Sequence, residues 1–109
     1  MEKRTSHYNL DELKALIKNE NTRTITRTCI KTAHELGFSE TEIVDIVFSL
    51  TNNSFYKSMT TYGSSKVWQD VYKPCVRGVN LYIKIQKTLD DKCGVISFKK
   101  DEKEEDNYV

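Results

Sequence analysis

Apolar residues in the first half of the chain recur at intervals of three and four, which is the spacing of an amphipathic helix. Asn9 with Glu12 and Ser39 with Glu42 each have the spacing of a capping box, a common start of a helix. The pattern predicts three helices: about Leu10–Asn19, from Thr22 or Thr24 to just before Gly37, and from Ser39 to about Leu50.

After Asn53 the apolar residues begin to alternate with polar ones, which is the pattern of strands with one buried face. Four strands are predicted, at about Phe55–Tyr62, Val67–Lys73, Val79–Thr88 and Cys93–Lys99. Because the links between them are short, neighbouring strands are expected to be antiparallel. We therefore expect an α+β fold in which N-terminal helices pack on one face of a four-stranded, mainly antiparallel sheet.

The length of 109 residues suits one domain, which we place at residues 1–100. Residues 101–109 carry five acids and a single lysine, so they are predicted to form a disordered tail. The alternative for this tail is an acidic mimic of nucleic acid that lies over the sheet. No apolar run approaches the roughly 18 residues of a membrane span, and Met1–Arg4 does not begin a secretory signal. The expected location is the cytoplasm, with no membrane contact.

The formal net charge of +1 hides an uneven distribution of charge. Between residues 51 and 87, six basic residues stand against one acid, Asp70. A local excess of this kind favours a polyanionic partner. The basic residues are Lys57, Lys66, Lys73, Arg77, Lys84 and Lys87.

The sequence offers little for metal chemistry or for the common catalytic motifs. Cys29, Cys75 and Cys93 are widely spaced, without a Cys-x-x-Cys pair, and the only histidines are His7 and His34. This pattern indicates reduced thiols, so neither a metal site nor another cofactor is expected. A glycine-rich phosphate loop, a nucleophile elbow and paired carboxylates are also absent from the sequence.

What is left is a set of polar residues on one predicted sheet face: Tyr82, Lys84 and Asn80, with Lys57 and Gln69 from neighbouring strands. RNA can be cut with such groups, because its 2′-hydroxyl is an internal nucleophile. The protein then supplies a base, an acid and positive charge for the phosphorane. Tyr and Lys have pKa values near 10, so they serve readily as acids, whereas a base needs a downward shift of about three units.

Each of these residues also has a purely structural interpretation. Lys57 could be a solvated side chain, Gln69 an ordinary strand residue and Tyr82 a packed aromatic. A further difficulty concerns the faces of the first strand. Placing Lys57 beside Tyr82 also puts Phe55 and Met59 on the open face, unless a β-bulge intervenes or these two side chains stack on RNA.

Several blocks of the sequence resemble the motility quorum-sensing regulator (MqsR) family, the toxins of bacterial toxin–antitoxin systems. The similarity extends from Met1 to about Lys100. The sequence departs from the family pattern at Ser6, where a proline is usual, at Cys75, where a basic residue is usual, in the Gly63–Ser65 loop and in the acidic tail. The blocks that carry the resemblance are Glu2–His7, Phe55–Tyr62, Trp68–Pro74, Val79–Ile85 and Val95–Lys99.

This resemblance implies a RelE-like, microbial-ribonuclease-like fold and a metal-independent mRNA endoribonuclease. Cleavage is expected at short sequences centred on guanine followed by cytosine, with a 2′,3′-cyclic phosphate as the product end. It also implies a cognate MqsA-type antitoxin, through which any contact with DNA would be indirect. The catalytic residues proposed in the family fall on Lys57, Gln69 and Tyr82, the three polar positions identified above.

Further RNA contacts are expected from Lys73, Arg77, Lys84 and Tyr56. Two other classes of protein compete with the ribonuclease. One is a non-catalytic RNA- or ribosome-binding module that uses the same basic, aromatic sheet. The other is a pure interaction protein whose sheet edge docks an antitoxin.

Overall fold

The computed structural model describes residues 1–61 and 63–102. The three predicted helices are present, and each begins where a polar side chain caps free backbone amides. Asn9, Thr26 and Ser39 accept hydrogen bonds from the third residue beyond them, and Ser39 with Glu42 completes a capping box. The helices are α1 (Leu10–Ile17), α2 (Arg27–Glu35) and α3 (Glu40–Phe48).

The fold is α+β, as predicted, but the sheet is larger and mixed. Its spatial order is β1-β3-β4-β6-β7-β2, with the short β5 paired to β6. The four predicted strands correspond to β3, β4, β6 and β7, which are antiparallel neighbours. The strands are β1 (Glu2–Lys3), β2 (Arg23–Ile25), β3 (Phe55–Thr61), β4 (Ser64–Tyr72), β5 (Cys75–Val76), β6 (Val79–Lys87) and β7 (Cys93–Lys100).

The prediction that the second helix starts after Thr22 or Thr24 was wrong. Residues 23–25 form β2, which pairs in parallel with β7, so that Ile25 lies opposite Val95. The backbone amide of Thr26 continues the ladder to the Val95 carbonyl, at 3.3 Å. A lone apolar residue such as Ile25 fits a helical stripe as well as a strand, so only the pairing with a distant segment decides between them.

The prediction of four strands was wrong at the other edge of the sheet as well. Glu2 and Lys3 pair antiparallel with Met59 and Ser58 of β3. Two residues are too few to show a period in sequence, so nothing in the N-terminal segment predicted a strand. This pairing adds one carboxylate, that of Glu2, to the sheet.

The core lies between the three helices and one face of the sheet. On β6 the side chains of Leu81, Ile83 and Ile85 are buried there, together with Leu13, Ile43 and other apolar residues of the helices. The residues that alternate with them on β6 lie on the opposite face, which we call the open face. The helices therefore leave this face of the central strands available for ligands.

Asp70 fixes the N-terminal segment to the sheet. Its carboxylate is fully buried and accepts hydrogen bonds from the backbone amides of His7, at 2.9 and 3.1 Å, and Tyr8, at 3.0 Å. The His7 ring stacks on Trp68 with 5.4 Å between ring centroids. Asp70 thus holds the chain just after β1 in place.

None of the helices in the described part of the chain has the length and apolar character needed to cross a membrane. Residues 103–109, most of the predicted acidic tail, lie outside the described residues, as does Tyr62. The single domain over residues 1–100 stays a prediction.

Candidate active site on the open face of the sheet

A β-bulge at Tyr56 sorts the side chains of β3 between the two faces. Phe55 lies opposite Tyr72, whereas Lys57 lies opposite Val71, so Tyr56 is the extra residue. Phe55 consequently packs toward the core, with its ring 5.5 Å from that of Tyr72. The bulge removes the difficulty that the sequence posed, because Lys57 and Met59 face the open side without Phe55.

A continuous row of residues crosses the open face at Lys57. Lys57 is the register partner of Val71, Val71 is that of Lys84, and Lys84 is that of Ser97. Val71 is fully buried between the two lysines. The row therefore places one lysine side chain on each side of the buried, apolar Val71.

Tyr82 occupies the next row and is surrounded by ammonium groups. The centroid of its ring lies 5.0 Å from Lys99 Nζ and 5.9 Å from both Lys73 Nζ and Lys84 Nζ. Its hydroxyl reaches across β4 to the sulfur of Met59, at 4.0 Å. Tyr82 is thus the centre of a cationic cluster.

The protonation of Tyr82 favours its role as a donor. Burial raises the pKa of its hydroxyl, and the neighbouring Tyr56, Glu2 and Asp101 raise it further. A phenol with a raised pKa keeps its proton at neutral pH. Tyr82 is therefore suited to donate a proton or a hydrogen bond and unsuited to act as a base.

The pKa of Lys84 is shifted in the opposite direction, downward. Burial lowers the pKa of its ammonium group, and the charges of Lys99 and Lys57 lower it further. These like charges are close enough to repel one another, and a phosphate placed among them would relieve that repulsion. Neither Lys84 nor Lys99 forms an ion pair with another residue of the described ranges, 1–61 and 63–102.

Gln69 lies on the same face at the row of Met59, its register partner. Its side chain is mostly buried and donates a hydrogen bond from Nε2 to Gln86 Oε1, at 2.9 Å. Since the amide nitrogen is held in this way, the orientation of the Gln69 side chain is fixed. Lys57, Gln69 and Tyr82 therefore share one face, with Met59 as a common neighbour.

Lys73 and Tyr56 join this cluster, whereas Arg77 does not. Lys73 Nζ lies 3.7 Å from the Tyr56 ring centroid and 3.3 Å from the Asp101 carboxylate. Arg77 instead pairs with Glu42 of α3, at 2.9 Å, and its guanidinium lies over the Phe38 ring on the helix side. Arg77 is thus the one predicted RNA contact that the described contacts tie to the helices.

Three residues of this surface were missed by reasoning from the sequence: Glu2, Lys99 and Asp101. Lys99 could have been found from strand pairing, because it is the register partner of Tyr82. Glu2 gave no signal, since its strand is two residues long. Its carboxylate Oε2 lies 2.7 Å from Lys57 Nζ.

No group of three or more His, Cys, Asp or Glu side chains within residues 1–61 and 63–102 is arranged to hold a metal ion. The open face offers ammonium groups, phenols, amides and the ion-paired carboxylates of Glu2 and Asp101. Such a set can bind a polyanion and transfer protons to and from it.

The fold and this surface define a small α+β protein with a cationic, tyrosine-centred sheet face. Residues 5–100 match the family model described as "Motility quorum-sensing regulator, toxin of MqsA". The chain belongs to this family, as the resemblance had predicted. It is similar to the mRNA interferase toxin MqsR of Escherichia coli strain K12, with 39% identity over 99 residues that cover 91% of this chain and 98% of the relative.

Proposed function

We propose that this protein is the toxin of a toxin–antitoxin system and acts as an mRNA endoribonuclease. Family membership and the name of the E. coli relative support the activity and the substrate class. The observation that carries the proposal in this chain is the cluster of Lys73, Lys84 and Lys99 around the Tyr82 ring. Since mRNA is the substrate, the proposed place of action is the cytoplasm.

The proposed reaction is an attack of the RNA 2′-hydroxyl on the adjacent phosphorus, which expels the 5′-oxygen. It leaves a 2′,3′-cyclic phosphate and a 5′-hydroxyl and requires no metal ion. Tyr82 serves as the acid that protonates the leaving 5′-oxygen, which its raised pKa supports. Lys57 stabilises the charge of the phosphorane, and Gln69 positions the phosphate or the base through its amide.

The remaining cations bind the RNA strand on either side of the scissile phosphate. Lys73, Lys84 and Lys99 supply the charge, and Tyr56 beside Lys73 offers an aromatic face for a nucleobase. Arg77 is proposed as a more distant phosphate contact that would first have to leave Glu42. The resemblance to the family implies a preference for guanine followed by cytosine. We propose that residues other than these cations and Tyr56 recognise the two bases.

We also propose that a MqsA-type antitoxin holds the activity in check, as the family description suggests. The four central antiparallel strands with helices on one face support a RelE-like, microbial-ribonuclease-like fold as the structural class. A non-catalytic RNA- or ribosome-binding module is the alternative. It would use the same cationic face without proton transfer.

The test is a cleavage assay with purified protein and a short RNA that contains guanine–cytosine steps, in the presence of EDTA. We expect cuts at defined sites that end in a 2′,3′-cyclic phosphate, and none where the nucleotide before the cut is 2′-deoxy. The variant Lys57→Ala lacks the ammonium group that we propose to stabilise the phosphorane, so it should abolish the cuts. RNA that is retarded in a gel but stays intact would identify the binding module instead.

A further inference from the structure

We propose that Glu2 is the general base that accepts the proton of the attacking 2′-hydroxyl. This inference rests on the proposed endoribonuclease function and concerns the same face of the sheet. A base is the one part that Lys57, Gln69 and Tyr82 do not supply. An amide is not a base at neutral pH, Lys57 is engaged as a donor to Glu2, and the phenol of Tyr82, with its raised pKa, keeps its proton.

The strand β1 delivers Glu2 to the open face. Glu2 is the register partner of Met59, so the two side chains lie on the same side of the sheet. The next ladder bond, from the Thr60 amide to the Met1 carbonyl at 3.0 Å, fixes this register. Because the Tyr82 hydroxyl contacts the Met59 sulfur, the phenol and the Glu2 carboxylate have a common neighbour.

The Glu2 carboxylate is both oriented and accessible. Its Oε2 accepts a hydrogen bond from Lys57 Nζ at 2.7 Å, and half of the side chain is exposed. Lys57 lowers the pKa of Glu2 through this bond and through its charge, so the carboxylate is ionised at neutral pH and its oxygens are free of protons. Oε1, which is not bonded to Lys57, is the atom assigned to the 2′-hydroxyl.

The other carboxylate beside the cluster, Asp101, is less suited to this role. It pairs with Lys73 at 3.3 Å, and only 9% of its side chain is exposed. A base for a surface-bound nucleotide has to reach the ligand, which the exposed Glu2 can do and the enclosed Asp101 cannot. Both carboxylates raise the pKa of Tyr82, and Glu2 is the larger of the two contributions.

The proton balance of the step is complete with these groups. Glu2 Oε1 takes the proton as the 2′-oxygen forms its bond to phosphorus. The bond from phosphorus to the 5′-oxygen breaks, and the Tyr82 hydroxyl gives its proton to that oxygen. Glu2 then releases its proton to water and the Tyr82 phenolate regains one, which restores the starting state.

The experiment compares Glu2→Gln with Glu12→Gln. Glu12 is a matched control, because it is equally exposed and also pairs with a lysine of a sheet strand, Lys87, but lies on α1. Single-turnover cleavage of a saturating RNA is measured between pH 5 and 9, with folding followed by circular dichroism. We expect Glu2→Gln to cleave roughly 10²–10⁴-fold more slowly, the range of a proton-transfer group. Glu12→Gln should cleave like the wild type.

The pH profile separates a base from a merely structural carboxylate. Above the pKa of Glu2 this group is fully ionised, so its contribution to the wild-type rate is independent of pH. In Glu2→Gln hydroxide has to replace the carboxylate, so the rate should rise up to about tenfold per pH unit. Glu2→Asp should recover part of the rate together with the wild-type profile.

Three results would overturn the inference. They are a Glu2→Gln rate within about threefold of the wild type, a slower rate with an unchanged pH profile, and a loss explained entirely by weaker RNA binding. In each of these cases the wild type still cuts RNA, so the proposed function stands. If the wild type itself does not cut RNA, the proposed function fails, and the inference fails with it.

Discussion

Lys99 lies directly opposite Tyr82 on the neighbouring strand, with its Nζ 5.0 Å from the centroid of the tyrosine ring. The pairing brings β7, the last strand in sequence, beside Tyr82, the residue that we propose as the catalytic acid. Two other strands complete the site, since Lys57 comes from β3 and Gln69 from β4.

Removing the Tyr82 hydroxyl should stop cleavage without unfolding the protein. The hydroxyl makes a single, long hydrogen bond within the described residues, to the Met59 sulfur at 4.0 Å, so Tyr82→Phe should cost little stability. We expect the cleavage rate to fall by roughly 10²-fold or more, because the leaving oxygen loses its proton donor. The control is Tyr8→Phe, whose hydroxyl donates to the Trp68 carbonyl at 2.8 Å away from this cluster. Equal activity of Tyr82→Phe and the wild type would remove Tyr82 from the mechanism.

The amide of Gln69 should matter for cleavage more than that of its partner Gln86. Gln69→Ala leaves Gln86 without its donor and removes the proposed positioning group, so kcat should fall. Gln86→Ala breaks the same hydrogen bond but leaves the Gln69 amide in place, so a smaller loss is expected. The measurement is kcat and KM for both variants with one RNA. A larger effect at Gln86 would contradict the assignment.

The salt dependence of RNA binding should report which cations touch phosphate. Each lost contact to single-stranded RNA reduces the slope of log affinity against log salt by about 0.7. We expect this reduction for Lys73→Ala and Lys99→Ala, which remove cations beside Tyr82. Arg77→Ala should change the slope less, since Arg77 lies on the helix side, over the Phe38 ring, and not beside Tyr82. A uniform reduction in all three variants would extend the RNA path to the helix side.

Asp70 should be more important for stability than any exposed acid. Asp70→Asn replaces an acceptor of three backbone hydrogen bonds with a group that is partly a donor, in a fully buried position. We expect a loss of about 2–4 kcal/mol in the free energy of unfolding, measured with urea. Glu20→Gln, an exposed position, should change it by less than about 0.5 kcal/mol. Wild-type stability of Asp70→Asn would show that the N-terminal segment is held by other contacts.

The buried hydroxyl of Tyr72 should make stability fall at high pH. Burial and the nearby Asp70 raise the pKa of Tyr72 to about 12, whereas the unfolded chain titrates near its ordinary value of 10.0. The stability that this shift contributes is complete below pH 10 and is lost between about pH 10 and 12, because the unfolded state releases the proton first. The expected slope is about 1.4 kcal/mol per pH unit.

Tyr72→Phe tests this contribution directly. The hydroxyl finds no hydrogen-bond partner among the described residues, so its removal should leave stability at pH 7 unchanged or higher by about 1 kcal/mol. The decline above pH 10 should become shallower in urea titrations of the variant. A decline as steep as that of the wild type would assign the alkaline loss to other groups.

The periodicity of the sequence was sufficient to predict the helices and the four central strands. It failed for β1 and β2, because strands of two and three residues have no period and depend on partners far along the chain. The capping residues Asn9 and Ser39 located α1 and α3 correctly. Thr26, the cap of α2, was not recognised because the second helix was predicted to start earlier, after Thr22 or Thr24.

The candidate site was predicted as a set of residues but not as a geometry. Lys57, Gln69 and Tyr82 could be chosen as polar residues of alternating strands, and a bulge was one stated condition for placing Lys57 beside Tyr82. The position of the bulge at Tyr56 follows from the register between β3 and β4, which the sequence alone does not give. Glu2 and Asp101 lie at the two ends of the described chain, where no pattern indicated a contact with the sheet.

The open face takes its side chains from almost the whole described chain, from Glu2 on the first strand to Lys99 on the last. A nascent polypeptide therefore cannot assemble this surface until β7 has left the ribosome. Under the proposed function, cleavage of RNA would begin only when β7 has joined the sheet and brought Lys99 beside Tyr82.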